Sequence, residues 1–327
     1  MVVYRNGFTY AANIFVLALA LVLFVTINNQ VTQFRILGLV CVGLGATTTL
    51  FYIATVKEPS LSKLALEGEA EYKKSLGQVE IKKEEKKKGK TAGDWLCEAQ
   101  FYIFGIVYMF ARISLNTTAT MMPLYLSTVS QYTPIDGMAT PIELASVPLA
   151  SYISSLLFSV TLQNWITQYF RNRVIPMGIS IVVTALGSLP MAFLGSGNLR
   201  NIMYVAASLQ GVGNAMMLNT GTACISDVIG QDNTSAAFVY GTYSLFDKFA
   251  NGLLLYWLVA AYADNANALQ WIMAIVPTAS AVVCTIATWI GIKLYADKLA
   301  KISIGSTLKK KYNPNAAKEA DENALLR

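Results

Sequence analysis

Histidine is absent from the 327 residues, and only 13% of them carry a charge. Without histidine there is no Ser-His-Asp triad, no His-assisted cysteine nucleophile and no His-ligated zinc or haem. Cysteine is scarce: Cys41, Cys97, Cys224 and Cys284 lie far apart with no C-x-x-C pair, which gives no support to a disulfide framework or an iron–sulfur centre. Three of them fall in apolar runs and read as small buried residues. Charge is also missing from most of the length. Residues 57–94 hold ten lysines and eight acids, and residues 296–327 hold seven basic and four acidic side chains. That leaves eight basic and seven acidic residues among about 257 others, too few to wet the surface of a soluble domain. The composition is that of an integral membrane protein. The basic excess lies beside apolar runs and reads as an orientation signal rather than a nucleic-acid footprint. Residues 1–27 have an apolar core of about twenty residues with no A-x-A end, so they read as a retained span and not as a signal peptide.

Eight stretches reach the ~20 apolar residues that a crossing needs: 8–27, 36–56, 101–126, 141–163, 174–194, 201–229, 235–262 and 268–295. With the 57–94 linker in the cytosol and alternation from there, Arg5, the ten linker lysines, Arg171, Arg173 and the seven basic tail residues lie inside. Only Arg35 and Arg200 lie outside, so the positive-inside rule places both termini in the cytosol. The sequons at Asn116 and Asn233 are then mid-membrane and cytosolic, and neither is expected to carry glycan. Thr140-Pro141-Ile142-Glu143 reads as a capping box opening the fourth span. Pro148, Pro190 and Pro277 mark kinks. The linker, charged and poor in large apolar residues, divides the chain into two spans and six.

An ionised side chain at mid-bilayer costs roughly 2.5–3.5 kcal/mol on insertion scales. Three occupy such positions: Arg112 in the third span, and Asp247 with Lys248 in the seventh. Arg112 is the twelfth residue of its span and Asp247 the thirteenth, so both lie at similar depth. Tyr108, Arg112, Asn116 and Thr120 follow steps of four and share a face, as do Tyr240, Ser244, Asp247 and Asn251. Lys248 is turned about 100° from Asp247. The sixth span adds Gln210 and Asn214 between glycines, and Asp227 near its end. The second and fifth spans carry no charge and read as lipid-facing, whereas the third, sixth and seventh read as walling something wet. Two readings of Arg112 and Asp247 stand: a buried pair that fixes helix packing, or groups that meet a solute or an ion. Asp227 is equally readable as a solvated interfacial acid, Tyr108 and Tyr240 as packing aromatics, and Gly211 and Gly213 as close helix contacts. An intramembrane aspartyl protease needs two mid-membrane aspartates sharing a proton; only one is present, so no catalytic constellation is read and no metal site.

The run CISDVIGQDNTSAAFVYGTYSLFDKFANGL, from Cys224 to Leu253, resembles the span–loop–span segment of the glycoside-pentoside-hexuronide cation symporters in the major facilitator superfamily. Trp95-Leu96-Cys97-Glu98 before Phe101-Tyr102, the run Tyr108 to Arg112 with Asn116, and Tyr125-Leu126 are similar to a branch that supports cysteine import into lysosomes and melanosomes. The resemblance implies an all-α membrane protein with twelve helices in two halves around a midplane cavity. This chain would then carry a truncated fold of eight transmembrane helices: residues 1–56 as the last two helices of the first half, 57–94 as the linker, 95–295 as the six-helix second half and 296–327 as a cytosolic tail. A truncated gene model, a short isoform or a decayed protein would each give that form. It further implies a transporter of a small polar solute, cysteine or a related amino acid first and a sugar with a coupled proton or sodium second. The alternative of another class is a non-transporting membrane scaffold. Expected solute contacts are Tyr108, Arg112, Asn116, Gln210, Asn214, Tyr240 and Asn251, with Asp247, Lys248 and Asp227 in cation coupling. Arg112 would clamp a carboxylate and Asp247 would receive an ammonium or a proton, with Lys248 keeping it ionised. Lys248 resembles the symporters' lysine near the coupling site. The loop with Arg171 and Arg173 lacks the superfamily's full glycine-aspartate-arginine pattern. In the tail, Asp321, Leu325 and Leu326 fit an acidic dileucine pattern that adaptors read, which favours a lysosomal or endosomal membrane over the plasma membrane. No cofactor is expected beyond a coupling ion, and the partners expected are the lipid bilayer and the solute, with no nucleic acid.

Overall fold

A computed structural model describes residues 2–55, 91–130, 132, 134, 139–170, 172–193, 200–229 and 236–311. Nine helices and no strand occur among them: α1 Val2–Thr26, α2 Gln30–Thr55, α3 Ala92–Leu96, α4 Ala99–Thr128, α5 Glu143–Phe170, α6 Val174–Phe193, α7 Arg200–Ile229, α8 Ala236–Tyr262 and α9 Ala266–Lys311. The eight long ones fall on the eight expected spans. Five of them (α1, α2, α5, α6 and α9) are long and apolar enough by themselves to cross a membrane. The other three, α4, α7 and α8, are the helices read as walling something wet. The polar residues that mark them are what lower their mean hydropathy.

Several boundaries differ from expectation for physical reasons. α5 continues past Gln163 to Phe170, and α9 runs to Lys311 across a non-helical backbone at Tyr295 (φ −120°, ψ 15°). Leaving the hydrocarbon ends the apolar run but not the hydrogen-bond ladder. The end of the segment read as linker is helical, as α3. Thr91 accepts from the Asp94 amide at 3.4 Å, and the Asp94 carboxylate accepts from the Thr91 amide at 2.8 Å, a reciprocal cap that opens α3. α5 starts at Glu143, and the Thr140 hydroxyl donates to Gln33 Oε1 at 2.7 Å, so it ties the connection before α5 to the first turn of α2. Pro123 is a further proline inside a helix, besides Pro148, Pro190 and Pro277. The rest of the linker, residues 57–90, the sequon at Asn233 and the dileucine residues Asp321, Leu325 and Leu326 lie outside the described residues.

The helices pack around α4 and α7. α9 lies along α4 and α6, α6 and α5 flank α7, α1 docks on α5, and α8 leans on α4. α2 touches little but α1, and only Gln33 of it is buried, which fits a lipid-facing helix. α6 does not fit that expectation. Its Ile175, Val182, Leu186 and Leu189 face outward, but Met177, Ser180, Thr184, Gly187 and Ser188 are buried against α7 and α9. Absence of charge therefore did not mean absence of a packed face, because small uncharged residues are what close helix contacts need. A Cβ on Gly187 would come 2.6 Å from the Gln210 backbone nitrogen, one on Gly211 would meet the Ser151 carbonyl, and one on Gly213 would meet Thr184.

Side-chain bonds fix relative directions, with α1 antiparallel to α7, α5 parallel to α7 and α4 parallel to α6. Asn6 at the start of α1 donates to Asn219 Oδ1 near the end of α7 at 2.8 Å, and Asn219 donates to Ser159 of α5 at 2.9 Å. Tyr125 near the end of α4 donates to the Met191 carbonyl at 2.8 Å, filling one of the acceptors left open by the last turn of α6. Aromatic residues gather near the ends of the apolar stretches: Phe193 against Trp271 and Trp257 against Tyr262, then Trp165 against Tyr169 and Trp289 under the Lys293 ammonium. Such rims are where amphipathic rings settle at a membrane interface.

Candidate functional site

α4 carries Arg112 one turn after Tyr108 and one turn before Asn116, and all three are half-buried. α8 brings Asp247 opposite. Arg112 Nε donates to Asp247 Oδ2 at 3.1 Å, and the side chains keep 26% and 5% exposure. The other carboxylate oxygen accepts from Asn251 Nδ2 at 2.7 Å. Both carboxylate oxygens are thus engaged, and the charge is matched inside a low-dielectric site where an unpaired carboxylate would be costly. Among the described residues, Nε is the only part of the guanidinium that donates. Its two terminal nitrogens are left over, and they form the end of a planar fork whose spacing suits a second carboxylate.

The expected residues separate into groups. Arg112, Asp247 and Asn251 form one connected network. Tyr108 lies beside it, its ring 6.5 Å from that of Tyr243, and the Tyr243 hydroxyl donates to the Phe101 carbonyl at 2.7 Å to hold α8 on α4. Asn116 is half-buried, one turn from Arg112. Lys248 faces outward and is exposed, while Asp247 is 3% exposed, in keeping with the turn between adjacent residues.

The others are used elsewhere. Asn214 accepts from Ser114 at 2.6 Å and donates to Thr118 at 3.3 Å, a clip between α7 and α4. Gln210 donates to Ser188 of α6 at 3.3 Å from within the close α6–α7 contact. Tyr240 shares a 3.0 Å hydrogen bond with Ser226, from α8 to α7. Asp227 pairs with Arg173, Nε to Oδ2 at 3.1 Å with a longer second contact at 3.5 Å. That pair keeps 28% and 42% exposure, and exposed ion pairs contribute under about 1 kcal/mol. Asp227→Asn is therefore expected to shift the midpoint of thermal unfolding by no more than about 1–2 °C, read by fluorescence in detergent.

Sequence reasoning missed Tyr10 and Tyr152. Tyr10 on α1 is 1% exposed, its ring lies 6.4 Å from that of Tyr152 on α5, and its hydroxyl has no hydrogen-bond partner among the described residues. Both pack in one cluster with Tyr108 and Leu115, the residues a turn either side of Arg112. A cleft of about 20 Å³, room for a single water, lies between α4, α5 and α7, with Tyr152, Ser155 and Asn214 on its wall. The signal available in the sequence was the step-of-four stripe Ser151, Ser155 and Ser159, which marks the inward face of α5.

A family model described as Major Facilitator Superfamily matches residues 1–247, from α1 to the Asp247 position. Major facilitator superfamily domain-containing protein 12 of Homo sapiens is 36% identical to the chain over 159 residues, and that of Mus musculus 35%. The match covers 49% of this chain and 31% of the relative, so the chain spans about a third of the length of these relatives. No solved structure matches. With the family model covering most of the chain and the long apolar helices it calls for in place, the chain belongs to the Major Facilitator Superfamily.

Proposed function

We propose that the protein takes part in secondary transport of a small polar solute that bears a carboxylate, with cysteine or a related amino acid as the cargo and a lysosome-like membrane as the setting. The observation that carries this reading is the unused end of the Arg112 guanidinium, on a side chain that keeps 26% exposure one turn from Tyr108 and Asn116. A structural pair needs only the Nε contact, whereas a fork with two free donors suits two oxygens of a solute. When a zwitterion enters, its carboxylate takes the fork, and its ammonium or a proton competes with Arg112 for Asp247. Coupling then amounts to exchange of one neutralising partner for another. Tyr108 and Asn116 border the solute. Gln210, Asn214 and Tyr240 hold the helices that present it and do not touch it. Positive residues in the connections support cytosolic termini, and the dileucine pattern with Asp321, Leu325 and Leu326 supports adaptor sorting to lysosomes or endosomes.

Lys248 supports the second reading, a carbohydrate symporter driven by a proton or sodium. An exposed ammonium midway along α8 calls for water or an acid as its neighbour. Counterflow separates the possibilities. Liposomes holding the protein are preloaded with unlabelled L-cysteine and given a trace of labelled L-cysteine outside. Transient accumulation that excess amino acid abolishes, and hexose does not, is the expected result. Competition by hexose alone favours the carbohydrate reading, and no accumulation of either solute favours a scaffold.

A further inference from the structure

Three groups with hydrogen-bond donors to spare lie in one region of the helix bundle, on α1, α4 and α5. The Arg112 terminal nitrogens make no hydrogen bond among the described residues, and neither does the Tyr152 hydroxyl. The Tyr10 hydroxyl is fully buried and has no hydrogen-bond partner among the described residues. The rings of Tyr10 and Tyr152 lie 6.4 Å apart, in the cluster that also holds Tyr108 and Leu115 on either side of Arg112. Both phenols are within electrostatic reach of the guanidinium. A buried hydroxyl with no partner costs about 1–3 kcal/mol, so its place beside an underused arginine calls for a ligand rich in acceptors. A carboxylate supplies four lone-pair sites and no donor. A sugar hydroxyl needs acceptors as well as donors, and this group of side chains offers an excess of donors.

We propose that Tyr10 and Tyr152 complete the carboxylate site of Arg112, each donating one hydrogen bond to the bound solute. The inference rests on the carboxylate reading given under Proposed function and deepens it. Tyr10 belongs to α1, on the other side of the charged linker from α4 and α5. The site is therefore shared between the first pair of helices and the six that follow, and it is complete only while α1 is docked. The Asn6–Asn219–Ser159 chain holds α1 in that place.

The test uses purified protein in nanodiscs and compares equilibrium binding of L-cysteine with that of cysteamine, which lacks the carboxylate. Tyr10→Phe keeps the packed ring and removes only the unpartnered hydroxyl. Without solute it should melt at or above the wild-type temperature, while its affinity for cysteine falls about tenfold. Tyr152→Phe should show the same loss, and cysteamine binding should stay as in wild type for both. Wild-type cysteine affinity in Tyr10→Phe and Tyr152→Phe, together with a large loss in Arg112→Lys, would overturn this inference and leave the carboxylate reading intact. Wild-type protein that binds cysteine no better than cysteamine would overturn both. A lower melting temperature for Tyr10→Phe with no change in affinity would show that the hydroxyl only supports packing.

Discussion

Gly211→Val is expected to leave no monodisperse, folded protein after extraction from the membrane. Gly211 lies where α7 crosses α5, and even a single added Cβ would run into the backbone carbonyl of Ser151 and its hydroxyl. Backbone cannot rotate away as a long side chain can. The Gly211 carbonyl also accepts from the Ser155 hydroxyl at 2.8 Å, so moving the helices apart breaks a buried hydrogen bond as well. Forced overpacking of a close-packed interior commonly costs about 1–3 kcal/mol, and a clash with main chain exceeds that range. α7 also carries Asn214 and Asn219, whose bonds reach α4, α5 and α1, so separating α5 from α7 loosens the whole core. Gly43→Val on α2 is the matched control. Nothing lies within 4 Å of its added Cβ, so it should elute from a sizing column as wild type does.

Asp247→Asn is expected to be the most damaging single change that preserves shape. It deletes the negative charge that faces Arg112 at 3.1 Å and leaves an arginine in the membrane interior with no counter-ion among the described residues. Breaking one side of a buried pair costs about 3–5 kcal/mol; the 26% exposure of Arg112 places the effect toward the lower figure. The double variant Arg112→Gln with Asp247→Asn removes both charges and should recover most of the thermal stability, since a neutral pair needs no counter-ion. It should recover none of the transport. That split between melting temperature and counterflow separates a packing role from a solute role, the two readings that the sequence left open.

Which stretches became helices was legible because apolar runs end at charge, proline or glycine. Where helices ended was less so. Hydropathy reports on hydrocarbon, and α5 and α9 pass beyond it as helices. The depth match of Arg112 and Asp247 was legible from counting alone, since helical rise converts position into height. The use made of Gln210 and Asn214 was not. A stripe at i, i+4 shows that two side chains share a face, not whether a partner serine on another helix waits for them. Ser188, Ser114 and Thr118 are those partners. Tyr10 went unread because an isolated tyrosine in an apolar span looks like packing, and its significance comes from its neighbours on α4 and α5.

The most direct test of the proposed carboxylate site is Arg112→Lys in the counterflow assay with labelled L-cysteine. Lysine keeps the positive charge, so the ion pair with Asp247 and the fold should persist, with a melting temperature close to wild type. It lacks the planar fork, and accumulation should fall by at least about tenfold, as expected when a charge-assisted bidentate contact is lost. Wild-type accumulation by Arg112→Lys would contradict the account, because a point charge would then serve as well as the fork.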